Sequence, residues 1–274
     1  MQFIARKMYH ILIDIGNTAC KVAVSENGRM TAVGRTSEET DVPAIVNNIV
    51  TDKRLAPQSI IISTVRNRNR KFEKALKTAY GKENVLNFDL DFVRKTLSSD
   101  LSRAHFPLMN VLENMPDGMG ADRMAAILAA HIRCPEGKIM IFDFGTATTV
   151  EFINKDWYEG GSISLGLNTR YRALSVFTKK IPLLNPNTFL AFNDIKNIST
   201  IGFDLDTALA AGNILGIIFE IEGYIGYHPD REIFFTGGDS DQLAKRISKP
   251  VNVVPDLVLE GLDYIATQWQ KRCK

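Results

Sequence analysis

One stretch of the chain recurs. Tyr9-His-Ile-Leu-Ile-Asp14-Ile15-Gly16-Asn17-Thr18-Ala19-Cys20-Lys21-Val-Ala-Val24 is an apolar run, a polar turn and a second apolar run. Lys138-Ile-Met-Ile-Phe-Asp143-Phe-Gly145-Thr146-Ala-Thr148-Thr-Val-Glu-Phe-Ile153 follows the same plan. In each, an Asp stands near the end of a β-rich run, a Gly follows two residues later, and hydroxyl or amide residues fill the turn. Two β-rich runs joined at a glycine turn read as a hairpin. A second turn signal follows each copy, Glu26-Asn27-Gly28 and Asn154-Lys155-Asp156, with another strand-like segment beyond it. A chain carrying this unit twice is constrained to two similar α/β halves, each opening with a three-stranded meander.

The remaining segments fit that plan. Ser59-Ile-Ile-Ile-Ser-Thr-Val65 reads as a short buried strand, Arg70 to Tyr80 as a helix, and Val85 to Phe88 as another strand. In the second half, helices are expected over 168–178 and 206–224, and a strand over Glu232–Thr236 ending in Gly237-Gly238. Pro255 to Lys271 reads as a closing helix. Between the halves lies the Ala-rich stretch Asp122 to His131, a helix with an acidic residue at its start. No low-complexity linker marks a boundary, which is placed near Gly120. The expected domains are therefore 1–119 and 120–274.

Composition narrows the function classes. Lys and Arg number 33 against 31 Asp and Glu, a net charge of +2, so no overall field attracts nucleic acid or anionic lipid. Cys20, Cys134 and Cys273 form no Cys-x-x-Cys pair and read as reduced thiols of a cytoplasmic protein. Asp14 interrupts the N-terminal apolar run before an export signal is complete, and Asn213, Glu220 and Glu222 interrupt the greasiest later stretch. Neither a nucleic acid nor a membrane is expected as a partner.

The chemistry concentrates at the hairpin turns. A tight glycine turn brings backbone N–H groups close to a ligand, which lets a hairpin hold phosphate without a helical P-loop. An Asp at the strand end holds Mg²⁺ through water, and a nearby Lys meets phosphate as a point charge. A single copy reads equally well as a plain hairpin with an Asn/Thr turn. Two copies facing each other make a two-sided phosphate clamp. The third constellation is Gly120-Ala121-Asp122-Arg123. Alone it is a capping carboxylate with a solvated neighbour; beside phosphate hairpins, such a carboxylate accepts a hydroxyl proton and the Arg holds an anionic group. The run Arg66-Asn-Arg-Asn-Arg70 reads first as a solvated loop, with contact to an anion as the alternative.

The duplicated hairpins resemble those of the acetate-and-sugar-kinase, Hsp70 and actin superfamily, whose two ribonuclease H-like halves hold ATP in the cleft between them. No Walker-type or Gly-x-Gly-x-x-Gly sequence competes for the phosphates. Adding Gly120-Ala121-Asp122-Arg123, Gly160-Gly-Ser-Ile163 with Gly166-Leu167, and Thr236-Gly-Gly238, the chain resembles the type III pantothenate kinases over essentially its whole length. The resemblance implies two ribonuclease H-like domains with mixed sheets flanked by helices. It implies ATP-dependent phosphorylation of pantothenate to 4'-phosphopantothenate, the first step of coenzyme A biosynthesis. Asp14, Ile15, Gly16, Asn17, Thr18, Ala19, Cys20 and Lys21 would wrap the ATP phosphates, with Asp14 near Mg²⁺ and Thr146 touching ATP. Asp122 would be the base, with Gly120, Ala121 and Arg123 seating pantothenate. Asp143 would belong to a monovalent-cation site for potassium or ammonium, and the protein would form a homodimer.

Three departures from the family pattern fall on the acceptor side. Leu112 and Glu113 stand where an aromatic is usual before Pro116, Leu165 replaces a proline, and Leu205 replaces a threonine that meets pantothenate from the neighbouring subunit. Leu205 is expected to put a buried apolar side chain in place of a donor, with Thr207 or Arg170 as the nearest compensating groups. A low-activity or inactive paralogue with an accessory role, or a kinase for another small hydroxylated metabolite, remains open at this stage.

Overall fold

Both hairpins form in the computed structural model, which describes residues 9–52, 56–98, 104, 106–184 and 195–272. In the first half, β1 (Tyr9–Ile15), β2 (Cys20–Glu26) and β3 (Arg29–Thr36) make an antiparallel meander. Its second turn carries Asn27 at φ 51° and Gly28 at φ 84°, left-handed backbone suited to those two residue types. Strands β4 (Ser59–Thr64) and β5 (Val85–Asn87) then add in parallel, giving the order β3-β2-β1-β4-β5. Helices Val42–Asp52 and Arg70–Tyr80 intervene, the latter capped by Asn69, whose side chain accepts the Phe72 N–H at 3.2 Å.

The second half repeats this topology strand for strand. Strands β6 (Lys138–Phe144), β7 (Ala147–Asn154) and β8 (Trp157–Leu165) form the meander. Strands β9 (Glu232–Gly237) and β10 (Asn252–Val253) add in parallel, for the order β8-β7-β6-β9-β10. The duplication read from two hairpins is thus a duplication of whole mixed sheets.

Alternation along the strands sorts the side chains. In the first sheet Ile11, Ile13, Ile15, Cys20, Val22, Ile60 and Ile62 pack with Val46, Phe72 and Leu76 in one core. The opposite face carries Asp14, level with Lys21 on β2 and Ser63 on β4. In the second half Phe142, Phe144 and Phe235 meet with ring centroids 4.9–6.0 Å apart. Ile214, Ile217, Ile218 and Ile221 of the long helix Leu205–Tyr227 complete that core. Burying each such side chain contributes roughly 1.5–3 kcal/mol relative to exposure. That helix is long and apolar enough to cross a membrane, but its apolar stripe is spent on the core.

The chain divides into two compact units, Met1–Ile132 with Leu257–Lys274, and Arg133–Asp256. This differs from the division expected near Gly120. Helix Ala121–Arg133 and the closing helix Leu257–Arg272 both belong to the first unit, because they pack backbone against backbone there. A Cβ on Gly261 would lie 2.0 Å from the Ala125 carbonyl oxygen. His105 and Cys273 lie outside the described residues.

Candidate active site

In the first unit the turn Gly16–Ala19 joins β1 to β2, closed by a hydrogen bond from the Gly16 N–H to the Ala19 carbonyl at 3.0 Å. A Cβ on Gly16 would stand 3.1 Å from that carbonyl, so the turn is tightest with glycine there. Asn17 and Thr18 are exposed at the tip, with Asp14 and Lys21 opposite each other below it. Ile15 and Cys20 are fully buried in the core, and burial pushes the Cys20 thiol up. Of the expected phosphate-binding run, these two therefore offer backbone only. The correction follows from strand alternation: their side chains lie on the face away from Asp14.

Strand β4 ties this hairpin to the start of helix Ala121–Arg133. The Val65 N–H donates to the Ile15 carbonyl at 3.1 Å, and Val65 Cγ1 lies 3.7 Å from where a Gly120 Cβ would be. A Cβ on Gly120 would come within 2.6 Å of Asp122 Oδ1, so a larger residue there would displace the carboxylate. The Asp122 carboxylate folds back to accept the Arg123 N–H at 2.7 Å. Burial nevertheless raises its pKa, outweighing that bond and the Arg123 charge, which both lower it. A carboxyl tuned upward by desolvation is a better proton acceptor once ionised.

Two further groups belong to this side of the sheet. Ser63 is level with Asp14, fully buried, and its Oγ makes no hydrogen bond among the described residues. Arg66, read from the sequence as part of a solvated loop, instead reaches back over the hairpin. Its Nε donates to the Gly16 carbonyl at 2.8 Å and Nη2 to the Asn17 carbonyl at 3.1 Å. No local signal gives that landing point, because charge along a loop does not say where the loop goes.

In the second unit, Gly145 and Thr146 alone join β6 to β7, two residues where the first hairpin uses four. The Gly166 N–H donates to the Thr146 carbonyl at 3.1 Å and the Thr169 hydroxyl to the same oxygen at 2.6 Å. A Gly166 Cβ would lie 2.0 Å from the Gly145 carbonyl. Asp143 pairs in register with Thr149 and Thr236. Gly237, at φ 89°, presses on it so closely that a Cβ would be 2.5 Å from both Asp143 Oδ1 and the Phe144 carbonyl. Carboxylate and carbonyl oxygens thus converge on one small space.

Leu205 is 47% exposed at the first turn of its helix within a single chain, and the burial expected of it is against a neighbouring subunit. Thr207 is held in a capping box: its hydroxyl meets Asp204 Oδ1 at 2.6 Å and accepts the Phe203 N–H at 2.9 Å. Arg170 pairs with Glu220 and donates Nε to the Leu165 carbonyl at 2.8 Å. Both expected compensating donors are therefore engaged. Leu165 and Arg170 line a cavity of about 520 Å³ with Phe177, Gly212 and Asn213. The last two sit in a π-helical turn, Ala211–Leu215, a local widening that hydrophobic periodicity does not reveal. Glu113 is exposed at the end of the 3₁₀ turn Pro107–Leu112.

A sequence profile of type III pantothenate kinases matches residues 10–226. The chain belongs to the type III pantothenate kinase family. The matched span holds both hairpins, the Asp122 turn and all three acceptor-side departures. The type III pantothenate kinase of Bacteroides fragilis is 33% identical over 263 residues, covering 93% of this chain and 96% of its own. Among solved structures, a conserved Campylobacter jejuni protein named for the Baf family overlays with a TM-score of 0.55 at 19% identity, across 95% of this chain and 99% of its own. A ROK family glucokinase from Streptomyces griseus overlays with a TM-score of 0.52 at 11% identity, across 95% and 99%. At such identities the structural likeness of these two proteins bears on the fold alone.

Proposed function

We propose that this kinase transfers the γ-phosphoryl group of ATP to the primary hydroxyl of pantothenate, giving 4'-phosphopantothenate for coenzyme A biosynthesis. The observation that carries the reading is Asp122, a desolvated carboxylate at a helix start that Val65 ties to the Asp14 hairpin. The pantothenate hydroxyl oxygen bonds to the γ-phosphorus and its proton passes to an Asp122 carboxylate oxygen. The bond from γ-phosphorus to the β–γ bridging oxygen breaks, and ADP leaves with that electron pair. Gly120, Ala121 and Arg123 seat the acceptor. The Gly16–Ala19 turn and Lys21 hold the phosphates, and Thr146 contacts the nucleotide from the second hairpin.

Mg²⁺ supplies charge neutralisation on the phosphates. Asp14 and the buried, unbonded Ser63 hydroxyl beside it form a donor set suited to that ion and its waters. Among the described residues no group of three or more His, Cys, Asp or Glu is placed to hold a metal. Asp143 Oδ1 and the Phe144 carbonyl, both of which a Cβ on Gly237 would crowd at 2.5 Å, are the oxygens we assign to potassium or ammonium. The second unit exposes Phe203 fully and Phe177 at 87%, with Leu205 nearby in sequence, which supports a homodimer formed through that unit. We place the reaction in the cytoplasm.

The test is ADP release followed by phosphorus NMR of the product. Release in potassium buffer is expected to depend on pantothenate and to fall when sodium replaces potassium. No pantothenate-dependent release at millimolar substrate defeats the reading. The engagement of Thr207 and Arg170 favours one second reading, an accessory paralogue that keeps the nucleotide site without acceptor turnover. Leu205→Thr separates the two. For a working kinase it is expected to lower KM for pantothenate several-fold, about what one restored hydroxyl bond supplies, with kcat nearly unchanged. If wild type is silent and Leu205→Thr restores nothing, the accessory reading stands.

A further inference from the structure

We propose that Arg66 is a positioning residue for the nucleotide, setting the Gly16–Ala19 turn by gripping two of its carbonyls. The inference rests on the reading that this turn holds the phosphates of ATP. A turn that binds an anion must keep its carbonyl oxygens away from it, since their partial negative charge repels phosphate. In this chain the two carbonyls at the start of the turn, Gly16 and Asn17, are both taken by one guanidinium, at 2.8 and 3.1 Å. The planar fork matches two successive oxygens in a way an ammonium point charge does not.

Arg66 is itself aimed by the end of β4. The Thr64 hydroxyl accepts the Arg66 N–H at 3.1 Å, and Val65 is tied by its own N–H to the Ile15 carbonyl. Strand, turn and guanidinium form one closed circuit around the hairpin tip. The electropositive fork also adds to the local field at that tip, where it lowers the Cys20 thiol's pKa against the larger effect of burial. Two of the five guanidinium N–H groups make these carbonyl bonds, so the fork brings positive charge to the turn as well as order.

The experiment is calorimetric binding of ADP with Mg²⁺ to the full-length wild type, Arg66→Met and Arg66→Lys, alongside steady-state kinetics and melting curves. Loss of the two charge-assisted bonds is expected to weaken ADP by about tenfold in Arg66→Met and by several-fold in Arg66→Lys. KM for ATP is expected to rise in parallel, while kcat and KM for pantothenate stay close to wild type and the nucleotide-free Tm falls only modestly, as loss of two partly exposed bonds implies. ADP affinity in Arg66→Met within twofold of wild type overturns the proposal. So does a loss that falls equally on pantothenate KM and Tm, which reduces Arg66 to a scaffold residue. If Arg66→Met does not fold, Arg66→Lys decides, since wild-type ADP affinity there removes any need for the fork. A wild type that binds no ADP defeats the nucleotide reading itself, a separate result from wild type binding and the variants binding equally well.

Discussion

Asp122→Asn is expected to lower kcat by about 10²-fold or more while binding ATP nearly as well as wild type, because it removes the proton acceptor and little else. The side-chain oxygen of Asn still accepts the Arg123 N–H that now binds Asp122 Oδ1 at 2.7 Å, so the helix start keeps its shape. The pH dependence follows from burial, which raises the Asp122 pKa above the ordinary carboxylate value. The base works only when ionised, so kcat/KM is expected to fall as pH drops through that raised pKa, and the variant's residual rate is expected to lose this acid limb. Stability carries the opposite sign. A carboxyl whose folded pKa is raised binds its proton more tightly folded than unfolded, so it costs stability as pH rises through the window between the two pKa values. Asp122→Asn is therefore expected to melt at or above wild type at neutral pH, with the gap closing in acid. A variant that keeps more than half the wild-type rate removes Asp122 from the mechanism.

The architecture was legible because it is repeated. One hairpin with an Asp near the end of its first strand is ordinary; two, each followed by a turn signal and a third strand, announce a duplicated meander, and the sheets match strand for strand. Local chemistry was legible too, as in the left-handed Asn27-Gly28 turn and the helix over Arg70–Tyr80. Long-range packing was not. Ala125 and Gly261 are far apart in the chain, and nothing local says that their backbones touch, so the grouping of both helices with the first unit leaves no trace in the sequence. Leu205 shows the other limit: the core-facing stripe of its helix lies in later turns, and burial against a second subunit leaves no mark on the chain's own periodicity.

The candidate site divided along the same line. Residue types and spacing point to both turns and to Asp122, while the core-facing side chains of Ile15 and Cys20 follow from strand alternation in the structure. The landing of Arg66 on the Gly16 and Asn17 carbonyls has no local signal, because it depends on where the chain beyond β4 returns. Ser63 was missed because an isolated hydroxyl in a strand carries no motif, and only the parallel register beside Asp14 gives it meaning.

Gly261→Ala is expected to be the most damaging substitution remote from the reacting groups. Glycine inside a helix ordinarily costs roughly 0.5–1 kcal/mol relative to alanine, so its place in the closing helix calls for a compensating contact. That contact is the Ala125 backbone: a Cβ would lie 2.0 Å from its oxygen and 3.0 Å from its Cα. Neither atom belongs to a flexible side chain, so the two helices must separate. Overpacking of this kind costs about 1–3 kcal/mol and outweighs the gain in helix propensity. Helix Ala121–Arg133 carries Asp122 in its first turn, and a shift of about 1 Å in a catalytic group costs on the order of 10²-fold in rate. The variant should therefore show both a lower Tm and a lower kcat. Gly223→Ala is the control, since a Cβ there meets nothing within 4 Å and the position is exposed in a helix. It is expected to match or slightly exceed wild-type stability with unchanged activity. If Gly261→Ala melts and turns over like Gly223→Ala, the helices are not held by that close approach, and the position of Asp122 must be set from the β4 side through Val65 alone.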